Sequence, residues 1–300
     1  MDIGRIGVWG RTDGLSLDEA GHFAHAIEAL GYGALWIPDA FGRDPLVHAG
    51  WLLARTTRLV VATGIANVHL RDPIATMGAA RTLHEQSGGR FLLGLGVSHE
   101  PAMTRILGRA YPPPLATMNA YLDAMAAAPW SGPALDGTPP IVLAALGPKM
   151  LALAGQRTLG VHPYCAPPSN TARSRTLAGP RAWICPEHKC LRETDPDRAR
   201  TRGRAAIAGS LSLPNYRKNL MRAGFAESDF EGGGSDRLVD ALVAWGDVAA
   251  MARGVRAHLE AGATHVCIQA LDPAHPSRPD LVALELLAPE LLGTGAHPGA

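Results

Sequence analysis

LVVATGIANVHLRDPIATMGAARTLHEQSGGRFLLGLGVSH, residues 59–99, carries the signals that decide the fold, in order along the chain. Leu59 to Ala66 is a nearly unbroken apolar run rich in Val and Ile, as in a strand covered on both faces. Asp72 and Pro73 then provide a helix cap and a first-turn proline. Ile74, Met77, Ala80 and Leu83 recur at helical spacing until Gly88-Gly89 stops the helix. Arg90 to Val97 is a second continuous apolar run. Strand, helix and strand in this form predict a parallel unit with helices packed on its sheet.

The same alternation extends in both directions. Upstream, strands are predicted at Ile3–Trp9 and Ala34–Pro38, with helices at Leu17–Leu30, closed by Gly31, and at Pro45–Thr56, capped by Asp44. Downstream, strands at Ile141–Ala145, Leu159–Tyr164, Ala182–Cys185 and Thr264–Leu271 alternate with helices at Pro148–Gln156, Asn170–Leu177 and Val248–Ala261. Eight strands in this arrangement predict an α/β fold, a (β/α)8 TIM barrel with insertion segments, with an open doubly wound sheet as the alternative. One domain spans 1–300, with a helical insertion at about 191–246 containing Tyr216–Ala223 and Arg237–Trp245. Glu231 to Ser235, with three consecutive glycines, reads as a hinge or surface loop.

Apolar residues make up 47% of the 300 and charged residues 18%, which excludes a disordered chain or a coiled coil. With 28 Lys plus Arg against 27 Asp plus Glu, no global field favours nucleic acid or an acidic membrane. Four cysteines are too few for a disulfide scaffold, and MDIGRIGVWG has no signal-peptide pattern. The apolar runs are too short to span a bilayer. A cytoplasmic enzyme with no membrane or nucleic-acid partner is expected.

Active-site groups of parallel barrels project from the carboxyl ends of strands, where Asp39, Asn67, His99 and His162 fall. Asp39 reads as a general acid, a hydrogen-bond acceptor or a cap for the following helix. His99 in GLGVSHE is a proton donor or acceptor by its titration range, or a loop histidine bonded to backbone. Gly94 and Gly96 form only a partial phosphate-binding pattern and equally suit close packing. In ALGPKM, residues 145–150, Gly147 permits close approach of an anion to a helix start and Lys149 adds charge, although the pattern also makes an ordinary turn. Cys185, His188 and Cys190 do not form a common zinc framework. No metal is expected, and the EHK and RETDPDR charges read as a solvated loop and helix face.

IGVWG, LWIPDAFG, residues 59–99, VLAALGPKML, GVHPYCAPP and AGATHVCIQAL occur in the order found in the bacterial luciferase-like superfamily, and the chain most resembles its coenzyme F420-dependent oxidoreductases. The resemblance implies a pocket at the strand carboxyl ends and a non-prolyl cis peptide at Gly64–Ile65 supporting the deazaflavin ring. Asp39, Ala66 and Asn67 match positions near the ring or its side chain, His162 joins the cofactor set, and Gly147, Pro148, Lys149 and Met150 match the segment around the cofactor phosphate. His99 stands where sugar-phosphate dehydrogenase relatives carry a catalytic glutamate, and Ala40 where they carry a histidine. Their glucose 6-phosphate specificity is therefore not implied.

What the resemblance implies is hydride transfer between a deazaflavin and a small organic substrate. His99 is the first acid/base candidate and Asp39 the second, while Trp9, Phe41 and Tyr164 line an apolar substrate mouth. A homodimer is expected on the same ground. One alternative is an FMN-dependent monooxygenase supplied by a separate cofactor reductase; another is a noncatalytic deazaflavin-binding protein.

Overall fold

The structure is a computed structural model and describes residues 1–275 and 278–293; the remainder of the expected 1–300 domain lies outside the described residues. The strands are β1 (Ile6–Trp9), β2 (Ala34–Ile37), β3 (Val60–Thr63), β4 (Ala66–Asn67), β5 (Phe91–Gly96), β6 (Ile141–Leu143), β7 (Gly160–Val161), β8 (Trp183–Ile184), β9 (Glu187–Leu191), β10 (Val243–Trp245) and β11 (Val266–Leu271). Every pairing among them is parallel. Helices follow the strands on the outside, several opened by the residues that the sequence nominates. Asp44 accepts from the Leu46 and Val47 N–H groups, and Asp72 from those of Ile74 and Ala75.

The expected closed eight-stranded barrel is corrected by the pairing. Ten strands form one open path, β10-β9-β11-β1-β2-β3-β5-β6-β7-β8, and β4 pairs with β5 beside it. The sheet is a curled half-barrel whose regular ladder stops at Cys185–Pro186. Pro186 has no N–H to donate, so β8 and β9 are separate strands of one chain segment. Isolated bonds cross there: the Thr264 N–H donates to the Ile184 carbonyl at 2.9 Å and the Cys267 N–H to the Pro186 carbonyl at 2.8 Å.

A second correction concerns the EHK charges. Glu187, His188 and Lys189 are not a solvated loop but lie on β9 between β10 and β11, each almost wholly buried. Between β9 and β10 the chain forms the helices Pro196–Leu211, Pro214–Arg222 and Asp236–Leu242, which share an apolar cluster with Leu191, Val243 and Leu271. Val243–Trp245, assigned to a helix from the sequence, is the edge strand paired to β9. Gly94 and Gly96 serve close packing: a Cβ at Gly94 would lie 1.9 Å from the Thr63 carbonyl oxygen, and one at Gly96 2.4 Å from Ile65 Cδ1.

Candidate active site

Because all strands run parallel, the residues following them gather at one end of the sheet. After β3 the chain bulges through Gly64–Ile65, a cis peptide, into Ala66 and Asn67 of β4. The Trp9 indole Nε1–H donates to the Gly64 carbonyl at 3.1 Å. A Cβ at Gly64 would lie 2.8 Å from Trp9 Nε1 and 3.0 Å from His162 Nε2, so these two rings wall the bulge. His162 stacks on Trp36 with ring centroids 4.4 Å apart. Its Nδ1 is 2.7 Å from the Cys185 carbonyl, which can only accept, so the proton sits on Nδ1 and the Nε2 lone pair faces the bulge without a partner. Burial pulls this imidazole down to about 4, and it is neutral near pH 7.

Asp39 holds the other side of the bulge. Its carboxylate accepts the Asn67 backbone N–H at 3.0 Å and pairs with Arg71, whose second nitrogen reaches Asp44 at 2.7 Å. The Asp39 side chain is 6% exposed. The buried, arginine-paired carboxylate is a fixed acceptor for the Asn67 N–H. Asn67 Oδ1 accepts from the His69 N–H at 3.0 Å. The helix cap in this region is Asp44, not Asp39.

An aromatic chain crosses the mouth. Trp9 and Tyr164 have ring centroids 5.2 Å apart, Tyr164 and Tyr216 6.3 Å, and Tyr216 and His99 5.4 Å. His99 is half-buried; burial lowers its basicity, and a hydrogen bond with Asn215 partly restores it. The Tyr164 hydroxyl donates to Gln269 Oε1 at 2.9 Å, and Lys189 Nζ lies 4.2 Å from its ring centroid. Beneath it, Lys189 pairs with Glu187 at 3.1 Å, and Glu187 also accepts the Cys165 N–H at 3.0 Å. Burial pushes the tyrosine hydroxyl up to about 12, with Lys189 opposing, so Tyr164 remains protonated at neutral pH.

Trp9, Gly64, Ile65, Ala66, Asn67, Asp39 and His162 thus surround one bulge, and His99 and Tyr164 join them through the aromatic chain. Gly147 to Met150 lie farther along the rim, where Leu146 packs with Tyr164 against a common apolar cluster. Gly147 precedes the helix Pro148–Arg157, no side chain caps that helix, and a Cβ at Gly147 would meet nothing within 4 Å. Lys149 is exposed. Phe41 is 57% exposed in a left-handed conformation, φ 62°, and does not line an enclosed surface. The sequence reading missed Tyr216, Lys189, Glu187 and Gln269. Tyr216 lies in the insertion, where no motif marks it, and the β9 charges look like a surface.

The profile of the luciferase-like monooxygenases matches residues 1–265. The chain belongs to this family. A putative coenzyme F420-dependent oxidoreductase of Mycobacterium tuberculosis is 32% identical over 124 residues, 41% of this chain and 35% of that relative. The chain's matches span less than half the length of such curated relatives. Among solved structures, an F420-dependent secondary alcohol dehydrogenase holding an F420-acetone adduct superposes with TM-score 0.74 at 16% identity, covering 98% of this chain and 100% of that one. A type II Baeyer-Villiger monooxygenase component from Pseudomonas putida, in complex with FMN, gives 0.70 at 16% identity, covering 96% and 97%. At these identities the two structures establish a shared luciferase-like fold. Among the described residues of this family member, no helix is long and apolar enough to cross a membrane.

Proposed function

We propose that the protein is a coenzyme F420-dependent oxidoreductase that moves a hydride between the deazaflavin and a small organic substrate. The observation that carries this reading is the wall Trp9–Tyr164–Tyr216–His99 beside the Gly64 bulge. It presents flat apolar faces and an imidazole whose basicity burial lowers, a surface suited to holding a planar ring and excluding water. The unpaired His162 Nε2 and the Cβ-free Gly64 fit a planar heterocycle with polar edges. Kinship with F420-dependent enzymes supports the choice of cofactor and catalytic activity. When bound, the deazaflavin supplies the carbon that accepts or releases the hydride.

The chain's residues bind, orient and exclude water. Asp39 fixes Asn67 at the bulge, Trp9 and Tyr164 wall the substrate, and His99 takes up or delivers the proton that accompanies hydride transfer. The turn at Gly147 to Met150 offers amide N–H groups to the cofactor phosphate. In this reading, residues 1–300 act as one domain with an insertion at about 191–246, and the chain is a homodimer, a point that sedimentation velocity decides.

FMN with oxygen is the second reading, since a structural neighbour carries FMN. Anaerobic titration with F420 and with FMN, followed by F420 absorbance across a panel of small alcohols and carbonyl compounds, separates the possibilities. F420 binding with oxygen-independent turnover is expected. Oxygen-dependent turnover of reduced FMN without F420 binding overturns the proposal. F420 binding with no exchange in a broad panel points to a noncatalytic deazaflavin-binding protein. His99→Ala is expected to lower kcat by about 100-fold while changing cofactor affinity little. Equal losses in both remove His99 from proton handling.

A further inference from the structure

Two opposite charges lie inside the sheet where apolar residues would have sufficed. β9 runs between β10 and β11, and its Glu187 and Lys189 are each 1% exposed. Lys189 Nζ donates to both carboxylate oxygens, at 3.1 and 3.2 Å. Replacing a buried ion pair by apolar residues of like volume is often neutral or stabilising, so stability alone does not account for this one. What the two charges share is a neighbour, Tyr164.

Glu187 reaches Tyr164 through the chain. One carboxylate oxygen accepts the N–H of Cys165, the next residue, at 3.0 Å. Cys165 has φ 50°, a left-handed conformation uncommon outside glycine, so the chain turns sharply just past Tyr164 and the carboxylate holds that turn. Lys189 reaches the ring, with Nζ 4.2 Å from its centroid. Gln269, opposite Lys189 in the β9–β11 register, accepts from the hydroxyl at 2.9 Å. Trp9 and Tyr216 pack against the same ring. A side chain fixed at its turn, its ring and its hydroxyl needs no reorganisation when charge develops beside it.

The electrostatics point the same way. Burial opposes the charge on Lys189, but Glu187 outweighs it and keeps the nitrogen protonated. The Cys165 thiol is pushed up by burial and is neutral, as is the buried hydroxyl of Tyr216. The charges that act on the Tyr164 hydroxyl are thus Lys189, which eases its ionisation, and more weakly Glu187, which resists it. A nearby cation makes an O–H a stronger donor.

We propose that Glu187 and Lys189 are positioning residues, which hold Tyr164 and strengthen its hydroxyl as a hydrogen-bond donor to the polar atom of the substrate beside its reacting carbon. The inference rests on the proposed oxidoreductase reading for the substrate; the hold of the pair on Tyr164 stands without it. Tyr164 keeps its proton throughout, and the proton that accompanies the hydride stays with His99. In the free protein Gln269 accepts the hydroxyl's hydrogen bond, and with substrate bound the substrate's polar atom takes it over.

The test uses the full chain. Tyr164→Phe keeps the ring and removes the donor, so kcat with F420 is expected to fall about a hundredfold while F420 affinity stays within about twofold. Glu187→Gln with Lys189→Gln removes both charges and leaves polar groups in their place, and is expected to lower kcat about tenfold. In the Tyr164→Phe background the same two substitutions are expected to cost less than about twofold, because the hydroxyl on which the pair acts is gone. A ring-fluorinated tyrosine in place of Tyr164, followed by fluorine NMR, reports the hydroxyl without cofactor or substrate. Lys189→Gln is expected to raise its titration midpoint and Glu187→Gln to lower it, opposite shifts that a loosened fold does not produce. Should a single variant fail to fold, the neutral double variant is expected to raise the midpoint, since the cation acts the more strongly. Should F420 not turn over, the cofactor reading falls and the fluorotyrosine titration alone decides the hold of the pair on Tyr164. Equal losses of kcat in both backgrounds, a Tyr164→Phe variant with unchanged kcat, or midpoints that stay fixed overturn the proposal.

Discussion

At Gly64 the side chain that is absent matters as much as those that surround it. A methyl group there would press on Trp9 Nε1 and His162 Nε2, both ends of rings already fixed by hydrogen bonds or stacking. Gly64→Ala is therefore expected to destabilise by about 1–3 kcal/mol, read from urea unfolding, and to weaken cofactor binding as the rings move apart. Asp39 allows a sharper separation of roles. Asp39→Asn keeps the shape but leaves Arg71 with Asp44 as its remaining carboxylate and weakens the acceptor that holds Asn67. Loss of stability with an unaltered pH–rate profile is expected; disappearance of one limb of that profile would return Asp39 to acid/base work. His99, His162 and Tyr164 could be selected from the sequence because each follows an evident strand. Tyr216 could not, because its place beside His99 depends on how a long insertion folds back over the mouth.

The element least visible in the sequence is β9. EHKCL lacks the apolar run that marks its neighbours, yet all five residues are buried. Glu187 and Lys189 both point to one side of the strand, as alternation requires, and neutralise each other beneath Tyr164. Lys189→Met alone is expected to destabilise by about 3–5 kcal/mol, because it strands the Glu187 charge, whereas the pair Glu187→Gln with Lys189→Met should recover much of the loss. Chemical denaturation of the two single variants and the double variant measures the coupling, and strictly additive losses would contradict it. Strands β3 and β5 were legible for the opposite reason: their contacts are apolar on both faces, so composition alone reports them. A strand whose burial depends on a partner two residues away gives no such signal.

At the scale of the whole molecule, four of the buried histidines shape the response to acid. His162, His258 and His265 are held at about 4 by burial, and His188, bonded to His258 at 3.1 Å, well below its ordinary value. An unfolded chain protonates these rings near 6.5, whereas in the native one His162, His258 and His265 resist until about 4 and burial also holds His188 down. The unfolded state thus binds more protons in that window, and stability is complete above about pH 6.5 and lost as the pH falls toward 4. Each ring contributes up to about 1.4 kcal/mol per pH unit, so the melting temperature is expected to drop by roughly 5 °C or more between pH 6.5 and 5. A flat calorimetric profile across that range would show that these rings are not buried neutral. The parallel strand-and-helix order was readable from residues 59–99 outward, but the place where the ladder stops was not, since it depends on Pro186 meeting a strand from the far end of the chain. That meeting has a temporal side. β1 hydrogen-bonds to β11 with Ile6 opposite Val266. During translation at about 5–20 residues per second, the first strand leaves the ribosome tens of seconds before its neighbour exists. For that interval its unpaired edge is open to any other strand in the cell, and the nascent chain is expected to depend on a holding chaperone until residue 271 has emerged.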